Sequence, residues 1–353
     1  MTPSRAAVAG GNGRAATLSD VAREAGVSLA TASRAIIGRT NRSVRADLRE
    51  RVLEAAARLS YSPNANAQAM ARGKTATLGL IVHDIADPFF STIAAGVTEA
   101  ADAAGLAVTL ANTHHDAERE LGFIGTLQNL RARSIILVGG RQDDDEANEQ
   151  LRTALASYRQ RGGTAAMVGQ PILGVNAVHV DNRGGSADLA RALHGLGYRR
   201  FAVLGGPERH LTAAERREGF RAALAELGTP VPEEAVIPCE FVRDGGYDGM
   251  RELLRRELDV EAVFAVNDVM ALGAMTASRE AGLDVPRDLA FAGFDDIFAL
   301  RDVTPTLTTV RIDMVDIGRQ ATALALAEGE ETRLVTVGGE VVLRESTPGA
   351  PRR

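Results

Sequence analysis

A chain of 353 residues is too long for one small core and predicts two or three domains. Its formal charge of -6 would argue against nucleic acid if it were evenly spread, but residues 1–75 carry twelve Arg/Lys against five Asp/Glu and the remainder 28 against 41. A basic head on an acidic body is the electrostatic footprint of a small DNA reader carried by a larger domain. Lys74 is the only lysine, so nearly every phosphate contact falls to arginine. Cys239 stands alone, which leaves no disulfide framework and nothing that points to export. The first residues have no continuous apolar stretch of the signal-peptide kind, and no run of about 18 apolar residues exists to span a membrane. The expected location is the cytoplasm, with no membrane partner.

In chain order, residues 1–16 read as a disordered Gly/Ala tail; Gly11 to Gly13 follow no strand and are no nucleotide loop. Residues 17–38, TLSDVAREAGVSLATASRAIIG, read as two short helices joined by a tight turn. Thr17 and Asp20 form a capping-box pattern, Gly26 is the stop signal, and Ser28 caps the second helix. Two helices of about two turns each cannot bury a core alone, but they can present one of their number to a DNA groove. Residues 44–59 supply a third amphipathic helix, with Leu48, Val52, Ala55, Ala56 and Leu59 on one face. YSPNANAQAMARGKT follows at 61–75, an alanine-rich segment with almost no apolar face, predicted to fold only when something orders it.

The run from Thr17 through Asn64 to Thr75 resembles the DNA-binding head and hinge of the lactose/galactose repressor (LacI/GalR-type) family of bacterial transcriptional regulators. The resemblance implies a head at 17–62 and a hinge helix and linker at 63–75, with double-stranded operator DNA as partner. It places DNA contacts at Thr17, Ser28, Leu29, Ala30, Thr31, Ser33, Arg34 and Arg39, and at the hinge residues Asn64, Ala67 and Met70. Two departures stand out. Arg45 occupies the place of the serine that usually caps the third helix, so either Ser43 takes over or the helix start is weaker by roughly 1 kcal/mol. Met70 replaces the leucine that relatives wedge into the central base step, an apolar but floppier wedge.

From residue 76 strand and helix alternate. Apolar strand runs occur at 77–82, 106–111, 134–140, 165–169, 177–181, 200–206, 235–239, 262–267 and 289–295, with helical patterns such as 89–104 and 212–227 between them. The alternation argues for parallel sheets covered by helices, and a break near 170–178 for two lobes. The resemblance adds three crossings between lobes, near 174, 304 and 337, and a last strand at 343–348. The fold class expected is an α/β two-lobed, periplasmic-binding-protein-like core behind a small all-α helix-turn-helix head. Its lobes would comprise about 76–174 plus 305–336, and 175–304 plus 337–353.

Ligands of open parallel sheets sit beyond the carboxyl ends of strands. Phe89 and Phe90 follow the first strand and can stack on a ring or serve as core. After the strand at 200–206, Arg216 matches the family arginine that grips effector oxygens; His210, Thr212 and Phe241 fall where purine-responsive relatives make contacts. The pairs at 267–268 and 295–296 match positions of the family, and the resemblance implies that their first members, Asn267 and Asp295, face the cleft. Arg216 and Asp295 have a competing reading as a structural ion pair. His114, His115 and Asp116 have no ligand spacing to complete a metal site and read as a solvated loop. No nucleophile elbow, phosphate loop or persuasive acid dyad occurs, so neither an enzyme nor a cofactor is expected. The function expected is a dimeric, ligand-responsive regulator, in the main a repressor, switched by a sugar or nucleoside/purine-like molecule. The alternatives are a solute-binding receptor without a DNA role and a regulator controlled mainly by a protein corepressor.

Overall fold

The computed structural model describes residues 16–37, 44–61, 75–329 and 331–350. Arg39, Ser43 and the hinge positions Asn64, Ala67 and Met70 lie outside the described residues, as does nearly all of the N-terminal tail. The chain divides into two units, Met1–Thr75 and Ala76–Arg353.

In the first unit α1 (Leu18–Glu24) and α2 (Leu29–Ile37) meet across a turn in which Gly26 takes φ +63°, a backbone region that favours glycine. The capping box is formed: Thr17 N–H donates to Asp20 at 2.9 Å, and Asp20 N–H to Thr17 Oγ1 at 3.3 Å. Val21, Ala22, Ala25, Ala32 and Ala35 close against Val52 and Ala55 of α3 (Ala46–Arg58). So small a core gains from polar ties, and Arg51 Nη2 donates to Ala25 O at 2.5 Å. Arg45 is the N-cap of α3 and its side chain makes no capping bond, pairing instead with Asp47; the start of this helix lacks the cap that serine would give.

Among its described residues the second unit holds two parallel sheets and a two-stranded antiparallel pair. In the first, the strands β1 (Thr77–Val82), β2 (Ala107–Asn112), β3 (Ser134–Val138), β4 (Thr164–Val168), β5 (Asn176–Val180) and β11 (Leu334–Val337) run parallel in the order β11-β5-β4-β3-β1-β2. Its central strands are buried on both faces, as a parallel sheet requires. Ile81, Ile135 and Leu137 point to α5 (Ala117–Asn129) and α6 (Asp145–Gln160), whereas Leu80, Ile136 and Val138 join the core on the opposite face with α4 (Pro88–Ala103) and α11 (Met314–Leu326). The second sheet has β6 (Phe201–Leu204), β7 (Val236–Ile237), β8 (Ala262–Ala265) and β9 (Ala290–Ala292) in the parallel order β7-β6-β8-β9. The pair α7 (Asn182–Gly195) and α8 (Leu211–Glu226) packs together, as does the pair α9 (Arg243–Arg255) and α10 (Asp268–Glu280).

Three expectations about connectivity need correction. The first crossing is not near 174: β5 pairs with β4 and β11, and the chain leaves this sheet only at Asp181. The second is not near 304, because β10 (Thr309–Arg311) still lies beside the second sheet through bridges Ala292–Thr308 and Asp295–Arg311. Residues 343–348 are not a strand; the terminal strands are β11 and β12 (Glu340–Val342), the latter antiparallel to β10. The segment after β12 is instead stitched down by side chains, with Ser346 Oγ donating to Phe291 O at 2.6 Å. The third crossing does fall just past Val337, at Gly338 and Gly339.

Glycine sets how closely α4 and α11 approach. A Cβ on Gly96 would stand 2.1 Å from Val315 O, and one on Gly318 2.3 Å from Ile93 O. Gly96→Ala should therefore cost about 1–3 kcal/mol, the usual range for overpacking. Gly122→Ala, in α5 with open space around it, should be neutral or stabilising by up to about 1 kcal/mol. Urea unfolding of both variants measures the pair, and equal midpoints would show that the backbone contact carries no constraint.

Candidate functional site

The head offers one face for reading DNA. Ser28 Oγ accepts from Thr31 N–H at 3.1 Å and lies 2.8 Å from Thr31 Oγ1, which fixes the first turn of α2. Leu29 is 52% exposed, and Ser28 and Ala30 are exposed beside it. Thr31, Ser33 and Arg34 are half-buried on the same short helix, whose other face carries buried Ala32 and Ala35. Arg34 Nε donates to Ala30 O at 3.1 Å, which leaves both terminal nitrogens of the guanidinium without that bond.

In the second unit the carboxyl ends of β1, β3, β6, β8 and β9 converge on a cleft between the lobes. From the first lobe come His83 just beyond β1, Asp87, Phe89 and Phe90 at the start of α4, His115, and Gly140 beyond β3. From the second come His210 and Thr212 at the start of α8, Arg216, Phe241, Asn267 and Asp295. All eight effector positions expected from sequence therefore line one cavity, which measures about 40 Å³. A second compartment of about 250 Å³ adjoins it, with Asp87 and His115 shared and Asp84, Arg243 and Asp244 added.

The floor of the cleft is a buried ion pair. Arg216 Nη2 donates to Asp295 Oδ1 at 2.8 Å, its Nε to Asn182 Oδ1 at 2.9 Å and its Nη1 to Val266 O at 2.9 Å. The guanidinium carbon lies 3.8 Å from the centre of the Phe294 ring. Asp295 sits at φ +120°, a conformation that costs free energy outside glycine; Asp295 N–H donates to Val310 O at 2.9 Å and holds it there. Asp296 turns away toward Arg311 and Arg344, at 2.7 and 2.5 Å. Asp268 likewise leaves the cleft, its carboxylate accepting from Thr309 Oγ1 at 2.6 Å and Ile297 N at 3.0 Å.

The walls are aromatic. His210 stacks on Phe241 with centroids 4.5 Å apart, and Phe89 meets Phe90 edge-on at 5.1 Å. Burial pushes His210 down to about 3, and the nearby His115 and Arg216 add to the shift. Its Nδ1 accepts from Ala213 N–H at 3.3 Å, so Nε2 carries the proton. Burial also holds His83 well below its usual value, with Arg141 contributing. Its ring lies on Gly139, where an added Cβ would come within 2.4 Å.

The sequence reading missed His83, Asp87, His115 and Gly140. His83 and Gly140 follow apolar strands, a signal the sequence carries; His115 lies in an exposed turn, as the solvated-loop reading expects, and its ring also lies 4.6 Å from that of His83 and borders both compartments. Polar links between lobes were not legible either. Gln170 Nε2 donates to Thr212 Oγ1 and Glu215 Oε2, each at 3.0 Å, and Leu211 N–H donates to Arg141 O at 2.9 Å.

Residues 17–64 match the model for bacterial regulatory proteins of the lacI family, and residues 190–347 match that for a periplasmic binding protein-like domain. The chain is 35% identical over 322 residues to the HTH-type transcriptional regulator GalS of Salmonella typhimurium, spanning 91% of this chain and 92% of that one. The chain belongs to the LacI family. Among solved structures it is similar to the lac repressor dimer bound to operator and an anti-inducer, with TM-score 0.82, 26% identity, and 95% and 99% of the two chains covered. It is also similar to a complex of the transcriptional regulator CelR with cellobiose, with TM-score 0.68, 31% identity and coverage of 94% and 99%. It is thus a ligand-responsive transcriptional regulator of this family and not an enzyme.

Burial raises two carboxyls here, Asp295 to about 6 and Asp268 to about 8, each also raised by a neighbouring carboxylate; Arg216 opposes the rise at Asp295. A carboxyl with a raised folded-state value binds its proton more tightly folded than unfolded, so its contribution to stability is lost as pH rises through that value. Between pH 6 and 8 the wild type should therefore lose stability relative to Asp268→Asn, which cannot ionise. Urea midpoints across that window check this, and parallel pH curves would contradict it.

Proposed function

We propose that the protein is a dimeric repressor that binds a palindromic operator and is switched by a sugar or nucleoside-like molecule in the cleft between its lobes. The observation that carries the reading is the composition of that cleft. Two aromatic surfaces face a buried arginine–carboxylate pair and an amide, and each lobe supplies part of the lining. Stacking surfaces hold the face of a ring, and charge-assisted bonds hold its hydroxyls or heteroatoms. A ligand touching both lobes has unequal affinity for their open and closed arrangements, and only such a difference shifts an equilibrium. In a dimer the lobe angle would set the spacing of the two heads and hinges, which couples cleft to operator.

On the DNA side, Leu29 and Ala30 suit thymine methyl groups or exclude wrong base edges, and Arg34 suits guanine. Arg34→Ala should cost about 1–3 kcal/mol at one base pair per half-site, while non-specific binding persists through the remaining arginines. Competition between the operator palindrome and a scrambled duplex measures it; unchanged discrimination would remove Arg34 from base reading.

On the effector side, Arg216 is so embedded that truncating it would strand a buried carboxylate. Phe241→Ala and Asp295→Asn are cleaner tests. Each should weaken the effector response by about 1–3 kcal/mol through lost stacking or a lost charged hydrogen bond. Operator binding without ligand should survive if the effector is an inducer. The measurement is operator affinity with and without ligands from a thermal-shift screen of sugars, nucleosides and purines. Unchanged midpoints in both variants would place the effector elsewhere.

A further inference from the structure

We infer that this cleft is built for an uncharged effector and rejects a phosphorylated or carboxylated counterpart. The inference rests on the proposed small-molecule reading and sharpens it. The two compartments together present the carboxylates of Asp84, Asp87, Asp244 and Asp295 against two guanidiniums, Arg216 and Arg243. Arg216 is held by Asp295 in the buried floor, and Arg243, on the exposed rim, pairs with its neighbour Asp244 at 2.6 Å. Histidine adds no buried cation: burial lowers His83 and His210, and His115, in an exposed turn, is lowered as well.

Helix N-termini, the other common source of anion binding, are closed here by the chain itself. Asp87 caps α4 by accepting from Phe89 N–H at 2.9 Å, His210 caps α8, and Asn267 caps α10 by accepting from Met270 N–H at 2.9 Å. The remaining helix start at the outer compartment, α9, has no side-chain cap but carries Asp244 in its own first turn. Asp87 responds to this field, since burial raises it first and the charge of Asp84 raises it further.

What the interior offers instead is neutral hydrogen bonding. His83 Nε2 lies 3.1 Å from Arg141 Nη2, a pure donor, so the His83 proton sits on Nδ1. That Nδ1 is buried and has no hydrogen-bond partner, on a side chain only 7% exposed that lines the inner compartment. An orphaned buried donor costs free energy until an acceptor arrives; a hydroxyl or carbonyl oxygen of the ligand would satisfy it. Arg141 is in turn held by Glu120 at 2.8 Å, so no free cation stands behind His83. The inner compartment, at about 40 Å³, has room for a few waters. A charged group on the ligand would thus project into the outer one, among Asp84, Asp87 and Asp244.

The test is isothermal titration of the full-length protein with matched pairs that differ only in charge: glucose and glucose 6-phosphate, cellobiose and its 6′-phosphate, adenosine and adenosine 5′-monophosphate, galactose and galacturonate. At least one neutral member should bind, with its charged counterpart at least tenfold weaker. In the double variant Asp84→Asn/Asp244→Asn, which also frees Arg243, that ratio should shrink to about threefold or less. A charged member binding as tightly as its neutral partner overturns the inference while leaving the small-molecule reading intact. A ratio unmoved in the double variant overturns it as well, since the discrimination would not come from these carboxylates. Silence from every pair removes the small-molecule reading and this inference with it.

Discussion

Arg216 is a fixed charge in a dry place, and its environment organises the cleft. A guanidinium 2% exposed is stable there only if its donors are met. The chain meets them from three directions: the carboxylate of Asp295 after β9, the carbonyl of Val266 after β8, and the amide of Asn182 at the start of α7. Each lies within three residues of a strand end. The pair that would hold a ligand is therefore the same pair that fixes three strand ends relative to one another, and the structural and binding readings of Arg216 and Asp295 are two aspects of one arrangement.

The network continues out of the second lobe. Asn182 Nδ2 donates to Glu215 Oε2 at 2.7 Å, and Glu215 accepts from Gln170 of the first lobe, whose own carbonyl oxygen accepts from Arg141 N at 2.9 Å. Displacing Asp295 by a ligand oxygen would thus be felt at the lobe contact through a few charge-assisted bonds. On the far side of Asp295, Asp296 ties Arg311 and Arg344, which flank the second and third crossings. Coupling of this kind needs a bistable element to act on, and the angle between the lobes is the element available.

The strand ends were legible because their apolar runs are short and bounded, and the residues after them carry the chemistry. The family resemblance pointed to Asn267 and Asp295 over their neighbours Asp268 and Asp296, and the structure supplies the reason: Asp268 is claimed by Thr309, and Asp296 by Arg311 and Arg344. The crossings were harder. The run at 177–181 looks alike in either sheet, and only its partners β4 and β11 assign it. The strand β11 is exposed on alternate residues at a sheet edge, so it lacks the apolar run that marked the others. His83 and His115 were passed over because a histidine's value depends on what surrounds it, and periodicity carries nothing about that.

The three crossings also bear on how the protein is made. Strands β1 to β5 have all been synthesised by Val180, but α11, which packs on β3, β4 and β5, ends at Leu326, roughly 150 residues later. At about 5–20 residues per second that is an interval of roughly 7–30 s on the ribosome. Throughout it, Ile136, Val138, Ala166 and Val168 lack one of the two helices that share their core, α4 being already in place. The first lobe emerges first and finishes nearly last, so the part of its sheet face that α11 covers would stay open until the C-terminal tenth of the molecule arrives.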